Sequence, residues 1–120
     1  MATSAAITLY GIPNCDTMKT ARNWLAAHGL VYAFHNYKVD GVDPKKLDDW
    51  IARAGWEVIL NRAGTTFRAL TDAEKSGITA RKAATLMLAQ PSLIKRPVLE
   101  WGATLLIGFK PAVYAEAFGV

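Results

Sequence analysis

The sequence predicts an α/β protein with a four-stranded mixed sheet and a helical insertion. The chain has 120 residues, of which 52% are hydrophobic, enough for one domain with a substantial core. Residues 7–37 follow a strand–helix–strand pattern, which is typical of a parallel strand pair joined by a helix. Residues 98–109 form two strand-like runs around Gly102, which favours an antiparallel hairpin.

The first half begins with a predicted strand at Ile7–Tyr10, then a Gly/Pro turn and a helix. Asn14 is the predicted N-cap of that helix, and Gly29 is predicted to end it. Its apolar stripe consists of Met18, Ala21, Leu25 and His28. Val31–Tyr37 is rich in β-branched and aromatic residues, so we expect the second strand there.

Residues of about 43–91 form the predicted helical insertion, which follows a turn at Asp40-Gly41. Asp43-Pro44 fits the N-cap and first position of a helix that Gly55 ends. The predicted core face of this helix contains Leu47, Trp50, Ile51 and Ala54. One or two helical turns at 56–60, a loop at 61–66, a capping box at Thr71–Glu74 and a helix from Thr79 to Ala89 complete the insertion.

After Gln90-Pro91, the chain is predicted to return to the sheet. We expect strands at Val98–Trp101 and Thr104–Phe109, and a last helix from Lys110-Pro111 to Phe118. The expected organisation is therefore a single domain over residues 1–120 that carries the insertion.

Composition excludes several classes of function. The net charge of +4 is spread along the chain, which favours small anions over nucleic acid. No apolar run approaches the roughly 18 residues of a membrane span, and residues 1–6 lack the pattern of a signal peptide. The single cysteine excludes an internal disulfide and suits a reducing compartment. We expect a cytoplasmic monomer without nucleic-acid or membrane partners.

Cys15 is the main candidate for chemistry. It stands at a predicted helix start, where the helix dipole favours a thiolate and lowers the thiol pKa. The alternative is that Cys15 is a small buried apolar residue before a helix. Thr17 is placed either to hydrogen-bond the sulfur or to cap the helix, whereas the Asp16 carboxylate opposes a thiolate.

Three cationic side chains are candidates for binding an anion near Cys15: Arg62, Arg96 and Lys110. Each stands in a predicted loop or at an element boundary. A guanidinium binds an oxyanion or carboxylate through two parallel hydrogen bonds and stabilises a thiolate. The alternative for each is a solvated surface charge. Arg96 is the strongest candidate because Pro97 restricts it to an extended backbone.

Spacing argues against four other kinds of site. A Cys-x-x-Cys pair would need a cysteine where Met18 stands, and a phosphatase loop would need an arginine one residue before Arg22. A cysteine–histidine hydrolase pair would need His28 or His35 as its base. Both are predicted to be structural residues, since His28 falls on the apolar stripe of the helix and His35 lies within a strand. Two histidines and one cysteine do not make a metal site.

Several segments resemble the arsenate-reductase-like ArsC/Spx family, and most of all its YffB-type branch. They are the run Leu9–Lys19 with its Asn-Cys-Asp-Thr core, the run Gly64–Arg68, Ile-Lys-Arg-Pro-Val at 94–98 and Gly108-Phe109. The resemblance covers nearly the whole chain. It implies a thioredoxin-like fold in which Arg96-Pro97 is a cis-proline junction beside the cysteine.

The resemblance also implies an activity. In arsenate reductases of the family, the cysteine attacks arsenate held by arginines, glutathione attacks the adduct, and glutaredoxin resolves the product. Carried over, Cys15 is the nucleophile, and the anion-binding positions are Arg96, Arg62 and Lys110. Thr17 and Asn14, at the predicted helix start, are further candidates for contact with the anion. Glutathione is the implied co-substrate, glutaredoxin is an implied partner, and no cofactor is bound.

Two departures from arsenate reductases favour a different substrate. Gly11 stands where they have a histidine that supports a low thiol pKa, and Asp16 stands where they have a glycine. The primary expectation is therefore a glutathione-dependent thiol-disulfide reductase with one nucleophilic cysteine. The alternatives are an arsenate reductase coupled to glutathione and glutaredoxin, and a non-catalytic Spx-like module that contacts RNA polymerase.

Overall fold

The computed structural model describes residues 6–120; residues 1–5, which belong to the segment without a predicted signal peptide, lie outside the described part. The strands are β1 (Ile7–Gly11), β2 (Tyr32–Asn36), β3 (Val98–Trp101) and β4 (Thr104–Ile107). The helices are α1 (Asp16–Ala27), α2 (Tyr37–Asp40), α3 (Pro44–Ala54), α4 (Trp56–Ile59), α5 (Thr65–Arg68), α6 (Asp72–Lys75), α7 (Ala80–Ala89) and α8 (Pro111–Phe118), with a 3-10 turn at Pro91–Leu93.

The chain divides into two compact units. The sheet unit combines the described residues up to Asp40 with Arg96–Val120, and the helical unit is Gly41–Lys95. The helical unit therefore lies between β2 and β3 in sequence, at the place where the insertion is predicted. That the two units form one domain stays a prediction.

The sheet unit contains the predicted four-stranded mixed sheet, in the order β2-β1-β3-β4. β1 pairs with β2 in parallel and with β3 in antiparallel, and β3 pairs with β4 in antiparallel. Leu9 lies opposite Phe34 on one side and Leu99 on the other. Since alternate residues of a strand face opposite sides, this register aligns the apolar positions of neighbouring strands on one face.

That apolar face packs against α1 and α8. Its buried cluster consists of Ile7, Leu9, Met18, Leu25, Leu99 and Tyr114. Each is at most 7% exposed, and removing such a side chain from water stabilises the fold by roughly 1.5–3 kcal/mol. The apolar stripe predicted for α1 is thus correct at Met18, Ala21 and Leu25, all of which are fully buried.

Two helix starts in the helical unit follow the predicted caps. The Asp43 carboxylate accepts a hydrogen bond from the Lys45 N–H at 2.9 Å, with Pro44 in the first turn of α3. Thr71 and Glu74 form both bonds of the capping box, at 3.1 and 2.9 Å. α3 packs on α7, and both carry buried apolar residues.

The start of α1 differs from the prediction, because its N-cap is Cys15 and not Asn14. The Cys15 backbone is extended (φ −147°, ψ 130°), and its carbonyl accepts the Lys19 N–H at 3.0 Å. No side chain makes a capping hydrogen bond here. The N–H groups of the first helical turn therefore have no capping side chain and remain available to the cap residue, Cys15.

The position predicted for His28 on the apolar stripe is wrong. α1 ends at Ala27, and His28 is the exposed C-cap residue before Gly29, whose φ is +68°. The His28 ring lies 4.0 Å from the Trp24 ring, and its Nδ1 lies 2.9 Å from the Trp24 carbonyl oxygen. Because α1 ends one residue before His28, helical periodicity does not place the His28 side chain on the apolar face.

Three other boundaries differ from the predictions. β2 is shorter than Val31–Tyr37, since Val31 is 89% exposed and Tyr37 begins α2. The predicted loop at 61–66 ends earlier, because α5 begins at Thr65. The last strand ends at Ile107, since Gly108 has a φ of +80°.

Candidate active site

Cys15 lies just beyond the carboxyl end of β1, at the N-terminus of α1. It is half-buried and packs against the apolar cluster of the sheet unit. The sulfur is therefore held against a rigid core on one side and lies among the free amide groups of a helix start on the other. A helix of twelve residues presents a substantial dipole to this end.

The turn before Cys15 depends on close packing between Gly11 and Met18. A Cβ on Gly11 would lie 2.7 Å from Cε of Met18 and would come still closer to its Sδ. Met18 is fully buried and belongs to the apolar cluster. The glycine that departs from the arsenate-reductase pattern is thus the residue that makes room for the Met18 side chain.

The pKa of the Cys15 thiol lies below its ordinary value of 9.0. Burial raises it, because a charged sulfur loses solvation. Hydrogen bonds from the backbone N–H groups of Met18 and Thr17, a hydrogen bond from the Arg96 side chain and the positive charge of Arg96 outweigh the burial. All these interactions favour the thiolate, which is the nucleophilic form of cysteine.

Arg96 reaches the sulfur from the segment that leads into β3. It is half-buried, and its peptide bond to the buried Pro97 is cis. The Pro97 carbonyl accepts the Gly108 N–H at 2.8 Å, which joins this segment to the end of β4. The structure places the half-buried Arg96 beside Cys15, and its role in binding an anion stays a prediction.

The other predicted site residues are less closely tied to the sulfur. Thr17 contributes its backbone N–H, and Asn14 is exposed in the bend before Cys15. Lys110 is exposed at the N-cap of α8, two residues after Gly108. Arg62 belongs to the helical unit, where its guanidinium lies 5.6 Å from the centre of the Trp56 ring. Their roles in binding stay predictions.

A polar ladder near Arg96 was missed by the sequence analysis. It extends from the first residue of α2 across β2 and β1 to β3 and consists of Tyr37, His35, Tyr10 and Glu100. The Tyr10 hydroxyl donates to Glu100 Oε1 at 2.7 Å, and the His35 ring lies 5.0 Å from Tyr10 and 6.1 Å from Tyr37. The alternation of polar residues along β1 and β2 was the available signal for it.

Tyr37 is the unusual member of the ladder. Its side chain is 2% exposed, and its hydroxyl has no hydrogen-bond partner among residues 6–120. Burial raises its pKa, the neighbouring Tyr10 and Glu100 raise it further, and the charge of Arg96 opposes them. Tyr37 therefore stays neutral as a buried phenol in the electrostatic field of Arg96.

Residues 6–120 offer neither a cluster of metal ligands nor a membrane-spanning helix. No group of three or more side chains of His, Cys, Asp or Glu converges there in a way that could hold a metal ion. Within the described chain, no helix has the length and apolar character that crossing a bilayer requires.

Comparison with known proteins identifies the family. The model of the ArsC family matches residues 10–117, which include Cys15, Arg96 and Lys110. The chain belongs to the ArsC family. Other members have a thioredoxin-like fold, which confirms the fold predicted from the sequence motifs.

Two solved structures of ArsC-family members are similar over almost the full chain. A protein named YFFB is 56% identical, with a TM-score of 0.91 over 93% of this chain and 98% of that one. An arsenate reductase (ArsC) related protein from Brucella melitensis is 52% identical, with a TM-score of 0.78 over the whole of both chains.

Curated relatives include proteins of different kinds. A protein of Haemophilus influenzae described only as uncharacterized is 40% identical over 93% of this chain and 98% of its own length. The global transcriptional regulator Spx of Streptococcus mutans is 27% identical over 86% of this chain and 76% of its own length. The ArsC family thus contains arsenate-reductase-like proteins and transcriptional regulators.

Proposed function

We propose that this ArsC-family protein is a thiol-disulfide reductase that uses Cys15 as its only nucleophile and glutathione as its co-substrate. The observation that carries this proposal is the environment of the sulfur. Two backbone N–H groups and the Arg96 side chain lower the pKa of Cys15. A pKa closer to the ambient pH gives a useful balance between the thiolate fraction and nucleophilicity.

The reaction requires a second thiol from outside the chain, because the sequence contains one cysteine. The Cys15 thiolate attacks the glutathione sulfur of a mixed disulfide, forms a disulfide with glutathione and releases the other sulfur as a thiolate, which takes up a proton. A second glutathione thiolate then attacks the bound glutathione sulfur and releases glutathione disulfide with the Cys15 thiolate. The sum of the two exchanges converts the mixed disulfide and one reduced glutathione into a free substrate thiol and glutathione disulfide.

Arg96 has two roles in this scheme. Its hydrogen bond and charge stabilise the attacking thiolate, and they stabilise it again when Cys15 becomes the leaving group. A guanidinium also matches the carboxylates of glutathione. Lys110 is the further cation of the sheet unit proposed to hold the anionic co-substrate, with Thr17 and Asn14 supplying polar contacts at the helix start.

The test is turnover of a mixed disulfide of glutathione and 2-hydroxyethanethiol in the presence of reduced glutathione. We expect Cys15→Ser to abolish turnover and Arg96→Ala to reduce it. Lys95→Ala is the matched control, since it removes one exposed positive charge beside Arg96 and should have little effect. Retained turnover in a folded Cys15→Ser protein would exclude this mechanism.

Arsenate is the second substrate to be tested, because the Brucella melitensis relative is described as related to arsenate reductase. Arsenate is an oxyanion that could occupy the same position beside Arg96 and Cys15. Cys15-dependent reduction of arsenate without turnover of the mixed disulfide would favour arsenate reduction over thiol-disulfide reduction as the function. A glutaredoxin added to either assay tests the proposed partner.

A regulatory function is the third reading, supported by the similarity to Spx. It requires a protein partner such as RNA polymerase. Binding to RNA polymerase that persists in Cys15→Ser, together with no turnover of either substrate, would favour it.

A further inference from the structure

A basic cleft lies between α1 and the edge strand β2, and its lining includes none of the groups that lower the pKa of Cys15. It has a volume of about 360 Å³ and is lined by Lys19, Arg22, Asn23, Ala26 and Tyr32. All of these residues belong to the sheet unit, which also contains Cys15. None of them was assigned a function by the sequence motifs.

Arg22 is held in a defined position in this cleft. Its Nε donates to the Tyr32 hydroxyl at 2.9 Å, and its guanidinium carbon lies 4.6 Å from the centre of the Phe34 ring. Its two Nη groups have no hydrogen-bond partner within residues 6–120. An oriented guanidinium with two available donors is suited to a carboxylate, since less side-chain entropy is lost on binding.

The cleft residues Lys19 and Arg22 follow Cys15 in the chain by four and seven residues. Four and seven residues correspond to nearly one and two helical turns, so Lys19 and Arg22 follow Cys15 at about 6 and 10 Å along the axis. Side chains of a helix point back towards its N-terminus, which brings these cations closer to the sulfur. Arg22 comes one residue too late for a phosphatase loop, yet it stands about two helical turns after the nucleophile.

We infer that this cleft is a carboxylate-binding subsite, which selects disulfides of a small anionic peptide thiol as the compounds that react with Cys15. The inference deepens the proposed function and rests on it for the identity of the nucleophile. When the reacting sulfur lies at Cys15, a carboxylate of the same peptide binds to Arg22 and Lys19. Neutral thiol compounds lack this contact.

The test measures the first covalent step alone, so it does not depend on turnover. The Cys15 thiolate attacks a disulfide RS–SR, forms Cys15–S–SR and releases RS⁻. Because the chain has one cysteine, mass spectrometry reports this site only. The two reagents are glutathione disulfide, which carries carboxylates, and bis(2-hydroxyethyl) disulfide, which is neutral. The measured quantity is the ratio of their second-order rate constants.

We expect Arg22→Met to lower this ratio by about ten-fold, the effect of one lost charge-assisted contact. Methionine keeps an apolar chain against the Phe34 ring. Arg81→Met is the matched control, since Arg81 is an exposed arginine of the helical unit and its loss changes the net charge equally. Lys19→Gln, at an exposed position, should lower the ratio as well without affecting folding.

Three results would overturn the inference: an unchanged ratio in Arg22→Met and Lys19→Gln, an equal slowing of both reagents, or the same change in Arg81→Met. The first result means that the cleft does not bind the reagent. The second means that Arg22 affects only the reactivity of the Cys15 thiol, and the third means that the ratio depends on net charge and not on the cleft. If the selectivity is present but glutathione-linked turnover is absent, the subsite stands and the proposed function fails.

Discussion

The side chain of Arg96 donates a hydrogen bond to the sulfur of Cys15, although the whole helical unit separates the two residues in sequence. The cysteine follows β1 and the arginine precedes β3, and these two strands are antiparallel neighbours. The end of β1 and the start of β3 therefore lie next to each other at the same end of the sheet. This pairing explains how a single thiol gains a cationic partner.

Arg96→Ala is expected to raise the pKa of Cys15, because it removes both a hydrogen bond and a positive charge that favour the thiolate. The thiolate absorbance followed against pH measures this pKa directly. Lys95→Ala is the control and should leave the titration unchanged. An unchanged titration in Arg96→Ala would mean that the helix N-terminus alone activates the sulfur.

The stability of the protein should depend on the ionisation of Cys15. The pKa in the folded state is lowered from 9.0, so the thiolate stabilises the fold fully above 9.0 and this contribution is lost as the pH falls through the folded pKa. The free energy of unfolding of the wild type, minus that of Cys15→Ser, should therefore rise with pH in this window. Urea unfolding at a series of pH values measures the difference, and a constant difference would contradict the lowered pKa.

Gly11→Ala should destabilise the sheet unit by about 1–3 kcal/mol, the usual cost of overpacking a core. The added methyl group would lie 2.7 Å from Cε of Met18. Met18→Val removes the atoms of that clash, so the double variant should be more stable than the sum of the two single effects allows. Urea unfolding of all four proteins gives the coupling energy. Additive effects would mean that the Met18 side chain moves aside at little cost.

Tyr10→Phe and Tyr37→Phe form a matched pair of hydroxyl deletions. The Tyr10 hydroxyl donates to the Glu100 carboxylate at 2.7 Å, so its loss should cost about 1.5–3 kcal/mol, the range for a hydrogen bond to a charged group. The buried Tyr37 hydroxyl has no hydrogen-bond partner among the described residues, so its loss should be neutral or stabilising. Urea titrations of both variants and the wild type give the free energies of unfolding that are compared. Equal destabilisation would show that Tyr37 has a partner in solution.

Much of the fold could be predicted from local chemistry. Asp43-Pro44 and the Thr71 capping box begin helices as expected, because caps act within one turn of the chain. The hairpin around Gly102 follows from two apolar runs and a short turn. Errors fall at element ends such as His28, Tyr37 and Thr65, where hydrophobic periodicity carries little information.

The sequence by itself determined the nucleophile, the order of the elements and the family resemblance, because one cysteine, the caps and the Asn-Cys-Asp-Thr and Ile-Lys-Arg-Pro segments are local features. Only the tertiary structure decided which groups surround the sulfur. The hydrogen bond from Arg96, the packing of Gly11 on Met18 and the cleft around Arg22 join residues whose distances depend on strand pairing and helix packing. A pattern along the chain specifies how each segment folds, whereas the assembly of segments specifies the electrostatic field at the site.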